Sequence, residues 1–134
     1  MQDVSSSGLI ATTSSNSIAV PSDVSVDGRF FKLLIMGSQS GGTHTYLKLP
    51  NADTIFDISN IGNYTAELIF YWDFSASENL SWGGWVLSDA PATFPIVAGG
   101  SGLNGDAASQ ADITFTITQD SGTPTIRQMA LSFA

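Results

Sequence analysis

The side chains that could carry out chemistry are few and widely spaced in this sequence. His44 is the only histidine among 134 residues, and there is no cysteine. A single histidine cannot form a catalytic triad without partners, and a zinc site that lacks cysteine usually needs more than one histidine. We therefore interpret His44 as a surface or interface residue on a strand, and we expect no disulfide and no thiolate chemistry.

Residues 23 to 28 read D-V-S-V-D-G, which resembles the opening of a calcium-binding loop. The spacing of the oxygen-bearing side chains suits a hard cation. However, the twelfth position is Leu34, where a calcium loop supplies a bidentate glutamate. The segment is better interpreted as a turn that leads into a strand, so the sequence predicts no bound metal.

Four carboxylates are eligible for the paired acid–base chemistry of glycoside hydrolysis, namely Glu67, Asp73, Glu78 and Asp89. The sequence gives no distance between them, and twelve acidic residues always offer some pairs. A phosphate-binding loop of the G-x-x-x-x-G-K-[ST] type is absent. These observations predict a protein that is not an enzyme and that needs no cofactor.

The charge of the chain excludes two classes of partner. The formal net charge is −8, and the only fixed positive charges are Arg29, Lys32, Lys48 and Arg127, none adjacent to another. Nucleic-acid binding needs several cations on one face, and binding to an anionic membrane surface needs the same.

No apolar run approaches the roughly 20 residues of a membrane span, and the N-terminus lacks the pattern of a secretory signal.

Aromatic residues cluster in one part of the sequence, with Tyr71, Trp72, Phe74, Trp82 and Trp85 lying within fifteen residues. Two interpretations remain open. In the first, which we favour, some of these side chains belong to the core and Trp82, Trp85 and Phe94 line a subunit contact, since aromatic residues are enriched at interfaces. In the second, Trp82 and Trp85 form an exposed platform for sugar rings.

The residues that surround these candidates read as β-strands. Charged residues make up only 12% of the chain, and alternating or strand-length apolar segments occur at 30–36, 43–49, 64–74 and 113–118. We expect hairpins that join 30–36 to 43–49 and 113–118 to 126–133, and an edge strand near 91–97. About eight strands in an antiparallel β-sandwich are predicted, jelly-roll-like first and immunoglobulin-like second.

The leading residues 1–25 are rich in serine and threonine, and they read either as a first strand or as an extended arm before a β-sandwich body at 26–134. In the arm interpretation, Leu9, Ile10, Ile18 and Val20 anchor the segment on a partner. Deletion of residues 2–20 would then leave the body folded.

In overall character the chain resembles the decoration or cement proteins of bacteriophage heads. It is small, acidic, cysteine-free and rich in hydroxyl residues, with a Ser/Thr-rich leading segment before a β-sandwich body. The resemblance implies a virion structural protein, assembled in the host cytoplasm, that forms a homotrimer and contacts the major capsid protein through its arm. The alternative is a carbohydrate-binding module or a receptor-binding fibre tip that uses exposed tryptophans.

Overall fold

The computed structural model describes residues 8–21, 28–39, 41–49, 54–59, 61–72, 80–89, 92–96 and 113–133. For residues 92–96 it describes the backbone and not the side chains. These ranges hold ten strands: β1 Leu9–Thr13, β2 Ser17–Ala19, β3 Phe30–Ser38, β4 His44–Lys48, β5 Thr54–Ser59, β6 Asn63–Trp72, β7 Leu80–Ser88, β8 Ala92–Ile96, β9 Thr114–Gln119 and β10 Thr125–Phe133. The all-β prediction is confirmed. The strand number differs from the expected eight partly because the leading segment contributes two strands. The described ranges contain no helix that is long and apolar enough to cross a membrane.

The strands form two antiparallel sheets. The six-stranded sheet has the order β1-β10-β3-β6-β7-β8, and the four-stranded sheet has the order β2-β9-β4-β5. Four of the pairs are nested in the sequence, since β4 pairs with β5, β3 with β6, β2 with β9 and β1 with β10. β7 and β8 extend the larger sheet beyond β6, and β8 is an edge strand, as Pro95 within it and Pro91 before it predict.

The core lies between the two sheets and follows from strict alternation along the strands. On β6, Tyr64, Ala66, Leu68, Phe70 and Trp72 point inward and are all buried, as expected for a period of two residues. Contacts between aromatic rings join the sheets. Phe70 of the larger sheet packs on Phe115 of β9 in the smaller one, with ring centroids 4.7 Å apart, and stacks on Phe31 at 5.1 Å. The arrangement is that of a β-sandwich.

Both predicted hairpins are wrong. β3 and β4 lie in different sheets, and so do β9 and β10. The connections at 39–43 and 120–124 therefore cross from one sheet to the other. Alternation in a sequence specifies which side chains of a strand are buried, but it does not specify the neighbouring strand. Loops longer than the two residues of a tight turn allow either connection.

Candidate functional site

The two sheets present very different surfaces to solvent. On the outer face of the four-stranded sheet the side chains are mostly polar, and they include Ser17, His44, Tyr46, Lys48, Asp57, Thr116 and Thr118. Such alternation of a buried apolar face and a wet polar face is normal for antiparallel sheets. The outer face of the six-stranded sheet departs from this rule.

We call the outer surface of the larger sheet the apolar face, and it is defined by Leu9, Phe30, Leu34, Met36, Ile69, Trp85 and Leu87. Register places these side chains on the side opposite to the core, because their neighbours along each strand point inward. Five of them, all except Leu34 and Met36, are large apolar side chains with 39% to 53% of their surface exposed. Several large exposed apolar side chains on one face of a sheet are typical of an interaction surface.

Two opposite charges lie within the apolar face. Lys32 on β3 is opposite Ile69, and Glu67 on β6 is opposite Leu34 and Trp85, so the two charged residues are diagonal neighbours across the β3–β6 pair. Both are half-buried. In the described part of the chain the ion pair within 4.0 Å joins His44 to Asp57, and neither Lys32 nor Glu67 takes part in one.

Trp82 and Trp85 are three positions apart, which places them on opposite faces of β7. Trp82 is opposite Phe70 on the inner side, and its ring lies 6.4 Å from that of Phe70. Trp85 is opposite Glu67 on the apolar face and is 39% exposed. The structure therefore corrects the expectation that the two tryptophans form one platform or one contact. Odd spacing on a strand could have shown this, had the sequence 80–88 been assigned to a continuous strand.

The glycines between the tryptophans let β7 approach β6 closely. Gly84 has φ of 157°, and a Cβ atom there would overlap the carbonyl oxygen of Glu67. Only glycine fits this position without a shift of the backbone. The glycine-rich stretch is thus a strand that holds Trp85 in place on the apolar face, and it is not the loop that its composition suggests.

Phe94 lies on the edge strand β8, where its backbone is opposite Val86. Its side chain falls outside what the structure describes. Its assignment to a subunit contact stays a prediction.

The four proposed arm residues do not share one environment. Ile18 and Val20 are 5% and 2% exposed and belong to the core of their own chain. Ile10 packs partly against the same core, whereas Leu9 is 53% exposed at one edge of the apolar face. The structure corrects the prediction that Ile18 and Val20 anchor an arm on a partner, because an enclosed side chain has no surface left to offer.

Backbone pairing explains why the leading segment is part of the sandwich. β1 lies beside β10 in the larger sheet, and β2 lies beside β9 in the smaller one. The amide of Phe133 donates to the carbonyl of Gly8 over 2.7 Å, and the amide of Val20 donates to the carbonyl of Ile113 over 2.8 Å. Residues 8–21 thus close one edge of each sheet.

His44 belongs to a polar cluster at one end of β4. Its Nδ1 lies 2.8 Å from Oδ1 of Asp57, and its ring stacks on Tyr46 with centroids 5.9 Å apart. Lys48 also contacts Tyr46, with its ammonium group 4.9 Å from the ring centroid. Stacking and the hydrogen bond to Asp57 hold the histidine on the polar face, in agreement with its interpretation as a surface residue.

Asp120 fastens the loop before β4 to the turn after β9. Its Oδ1 accepts from the amides of Thr43 and His44 over 2.8 and 2.9 Å, and its Oδ2 accepts from the Thr43 hydroxyl. These hydrogen bonds, that from the His44 amide first, hold the pKa of Asp120 well below its usual range. The carboxylate acts as a structural clamp between two connections that cross the sheets.

Two shallow clefts flank Arg127 at one end of the apolar face. One, of about 290 Å³, is lined by Asn63, Thr65, Leu87 and Asp89 among others; the second, of about 320 Å³, lies toward β1. Tyr64 also lines the first cleft. Its hydroxyl is buried without a hydrogen-bond partner, and burial raises its pKa to about 12. A buried phenol of this kind stays protonated at neutral pH.

The described ranges include only some of the residues considered for metal binding or for paired-acid chemistry. In the described ranges, no three His, Asp or Glu side chains are grouped as metal ligands. The calcium-like segment 23–27 and the acids Asp73 and Glu78 lie outside the described residues. Glu67 is on the apolar face and Asp89 accepts a hydrogen bond from Asn63 at the end of β6.

Comparison with protein-family models, with curated proteins and with solved structures finds no match to this chain.

The residues of the apolar face were only partly found from the sequence. Alternation along residues 64–74 alone places large side chains on both faces of this strand, with Ile69 on the face opposite to that of Phe70. The sequence alone did not indicate that one surface contains Phe30, Leu87, Lys32 and Glu67. They come from strands far apart in the sequence, and only the order of the strands brings them together.

Proposed function

We propose that this protein is a non-enzymatic structural protein of a virion, which decorates or cements a phage capsid by contacts between proteins. The apolar face is the observation that carries the proposal. It offers five large exposed apolar side chains on the outer face of the larger sheet, where an isolated antiparallel sheet would carry polar ones. Burying such side chains against another protein removes apolar surface from water and stabilises an assembly.

The scarcity of charge supports the same proposal. Only 12% of the residues are charged, and depletion of charged residues marks the centres of protein interfaces. In a virion, each copy would meet other copies or the major capsid protein through this face. Leu9 keeps the role in partner contact proposed for the leading segment, because it lies exposed beside the apolar face. The resemblance to decoration proteins remains the source of the virion assignment.

We further propose that the fold is a jelly roll. The nested pairs β1–β10, β2–β9, β3–β6 and β4–β5 are those of one long hairpin rolled into two sheets, with β7 and β8 inserted before the last two strands. This double Greek key is common among viral capsid proteins and lectins. A fold does not determine a function, so the topology alone agrees equally with a virion protein and with a glycan-binding protein.

The test is mass spectrometry of purified virions of the phage whose genome encodes the chain. The proposal predicts that the protein co-purifies with full heads in a fixed ratio to the major capsid protein. Its absence from virions, or a copy number that varies between preparations, would contradict the proposal.

A second candidate function is glycan binding, and it rests on Trp85. This side chain lies on the outer face of the larger sheet and is 39% exposed, which leaves part of its aromatic surface free to contact a pyranose ring. Titration with soluble polysaccharides should then quench the fluorescence of Trp85, and Trp85→Ala should remove the response. The same titration of Trp82→Phe serves as control, because Trp82 faces the core.

A further inference from the structure

We infer that the apolar face packs against the apolar face of a second copy of this chain, about a two-fold axis that lies in the plane of contact. The inference rests on the proposed function in taking this face as a contact between proteins. It goes beyond that function by naming the partner and the symmetry, and it replaces the trimer that the resemblance implies.

The size of the face matches what a stable dimer needs. β3 has nine residues and the sheet has six strands, so the face measures roughly 30 Å by 25 Å, or about 750 Å², at the usual rise and strand spacing. Stable interfaces bury about 800 Å² on each partner. Two faces of this kind laid on each other would therefore form an interface of ordinary size.

The two charges of the apolar face indicate that the partner covering it is a second copy of the chain. Lys32 and Glu67 are half-buried, and neither makes an ion pair in the described part of the chain. Covering them with a lipid surface or with an apolar protein surface would take both charges out of water, with only each other across the diagonal as partners. A covering surface that supplies one negative and one positive group at matching positions compensates both charges more fully.

A second copy supplies both groups by symmetry. Lys32 and Glu67 are diagonal neighbours on adjacent strands. A two-fold axis that passes midway between them, at right angles to the line that joins them, places Lys32 of each copy over Glu67 of the other. One rotation thus forms two ion pairs at the centre and lays the surrounding apolar side chains against each other. Such self-complementarity is the defining property of a two-fold interface.

Charge reversal tests this arrangement. The native mass of the full chain is measured by light scattering coupled to size exclusion, over concentrations from micromolar to millimolar. The variants are Lys32→Glu, Glu67→Lys and the double exchange, with Lys48→Glu on the polar face as matched control. Thermal unfolding of each variant establishes that it is folded. If a reversal variant does not fold, Lys32→Gln provides the same readout with a smaller effect.

The unaltered chain and the Lys48→Glu control are expected to be dimers. Each single reversal places like charges opposite each other twice and should raise the dissociation constant of the dimer about tenfold or more. The double exchange should restore the dimer. A monomer at all concentrations, a trimer, single reversals without effect, or a double exchange no better than the single reversals would overturn the inference.

The outcome is separate from that of the virion test. A dimer that responds to charge reversal, in a protein absent from virions, would keep the two-fold contact and refute the virion role. A virion protein that is monomeric or trimeric in solution would keep the role and refute the contact.

Discussion

Ile18 and Leu9 show how neighbouring apolar residues of one segment take opposite roles. Ile18 is 5% exposed within the core and Leu9 is 53% exposed. Truncation of Ile18 to alanine removes buried methyl groups and leaves a cavity, so we expect the free energy of unfolding to fall by about 2–4 kcal/mol. Leu9→Ala should change it by less than about 0.5 kcal/mol. Urea denaturation measures both, and equal losses would contradict the placement of the leading segment.

Asp120 gives a prediction about pH. Its pKa is lowered in the folded chain by hydrogen bonds from the backbone of His44 and the side chain and backbone of Thr43. A carboxyl with a depressed folded pKa contributes stability that is complete above its unfolded pKa and is lost as the pH falls through the folded pKa. Asp120→Asn lacks this contribution at every pH.

The difference in unfolding free energy between the unaltered chain and Asp120→Asn should therefore be largest near neutral pH and shrink in acid. Denaturation curves collected from neutral pH into the acid range measure it. A difference that stays constant with pH would show that ionisation of Asp120 plays no part in the clamp.

At the residue scale, sequence reasoning succeeded where a single strand decides the environment. The inward residues of β6, from Ala66 to Trp72, follow from alternation alone. It failed for Trp82 because the glycines beside it suggested a loop, and a loop has no period from which a face can be derived. The role of Gly84 depends on the closeness of β6, which no local pattern reveals.

At the scale of the element, the close pairing of β7 with β6 depends on the glycine at position 84. Alanine there would overlap the carbonyl of Glu67, so Gly84→Ala should lower the free energy of unfolding by more than about 3 kcal/mol or prevent folding. Gly83 is the matched control, because register directs its Cβ toward the outer face. Gly83→Ala should cost less than about 1 kcal/mol. Similar effects of the two variants would contradict the register of β6 and β7.

The leading segment gives the second prediction for elements. Deleting residues 2–20 removes β1, β2 and the buried side chains of Ile18 and Val20. We expect a chain that no longer unfolds cooperatively, because one strand is lost from each sheet. Circular dichroism during thermal unfolding is the measurement. A cooperative transition near that of the full chain would restore the arm interpretation.

The elements were largely predictable and their arrangement was not. Alternation and flanking turn residues located β3, β4, β6, β9 and β10 to within a few residues. The neighbours of β4 and β10 could not be derived, because pairing between strands distant in the sequence leaves no local signal. The apolar face is a consequence of that pairing, which is why it was only partly foreseen.

For the whole molecule, the asymmetry between the two outer faces is the main finding. The four-stranded sheet presents hydroxyl and charged groups, and the six-stranded sheet presents the apolar face with one lysine and one glutamate. The net charge of −8 makes copies of the chain repel each other at long range. Association through this face therefore has to come from burial of its apolar side chains.

A comparison of native mass between the unaltered chain and a variant with a polar outer face shows directly whether the apolar face joins two copies. The variant carries Ile69→Thr, Trp85→Thr and Leu87→Thr, which remove exposed apolar groups and keep a residue that favours strands. Light scattering should give close to twice the 14.1 kDa of one chain for the unaltered protein and the mass of one chain for the folded variant. Equal masses for the two proteins would contradict the claim that the apolar face joins two copies of the chain.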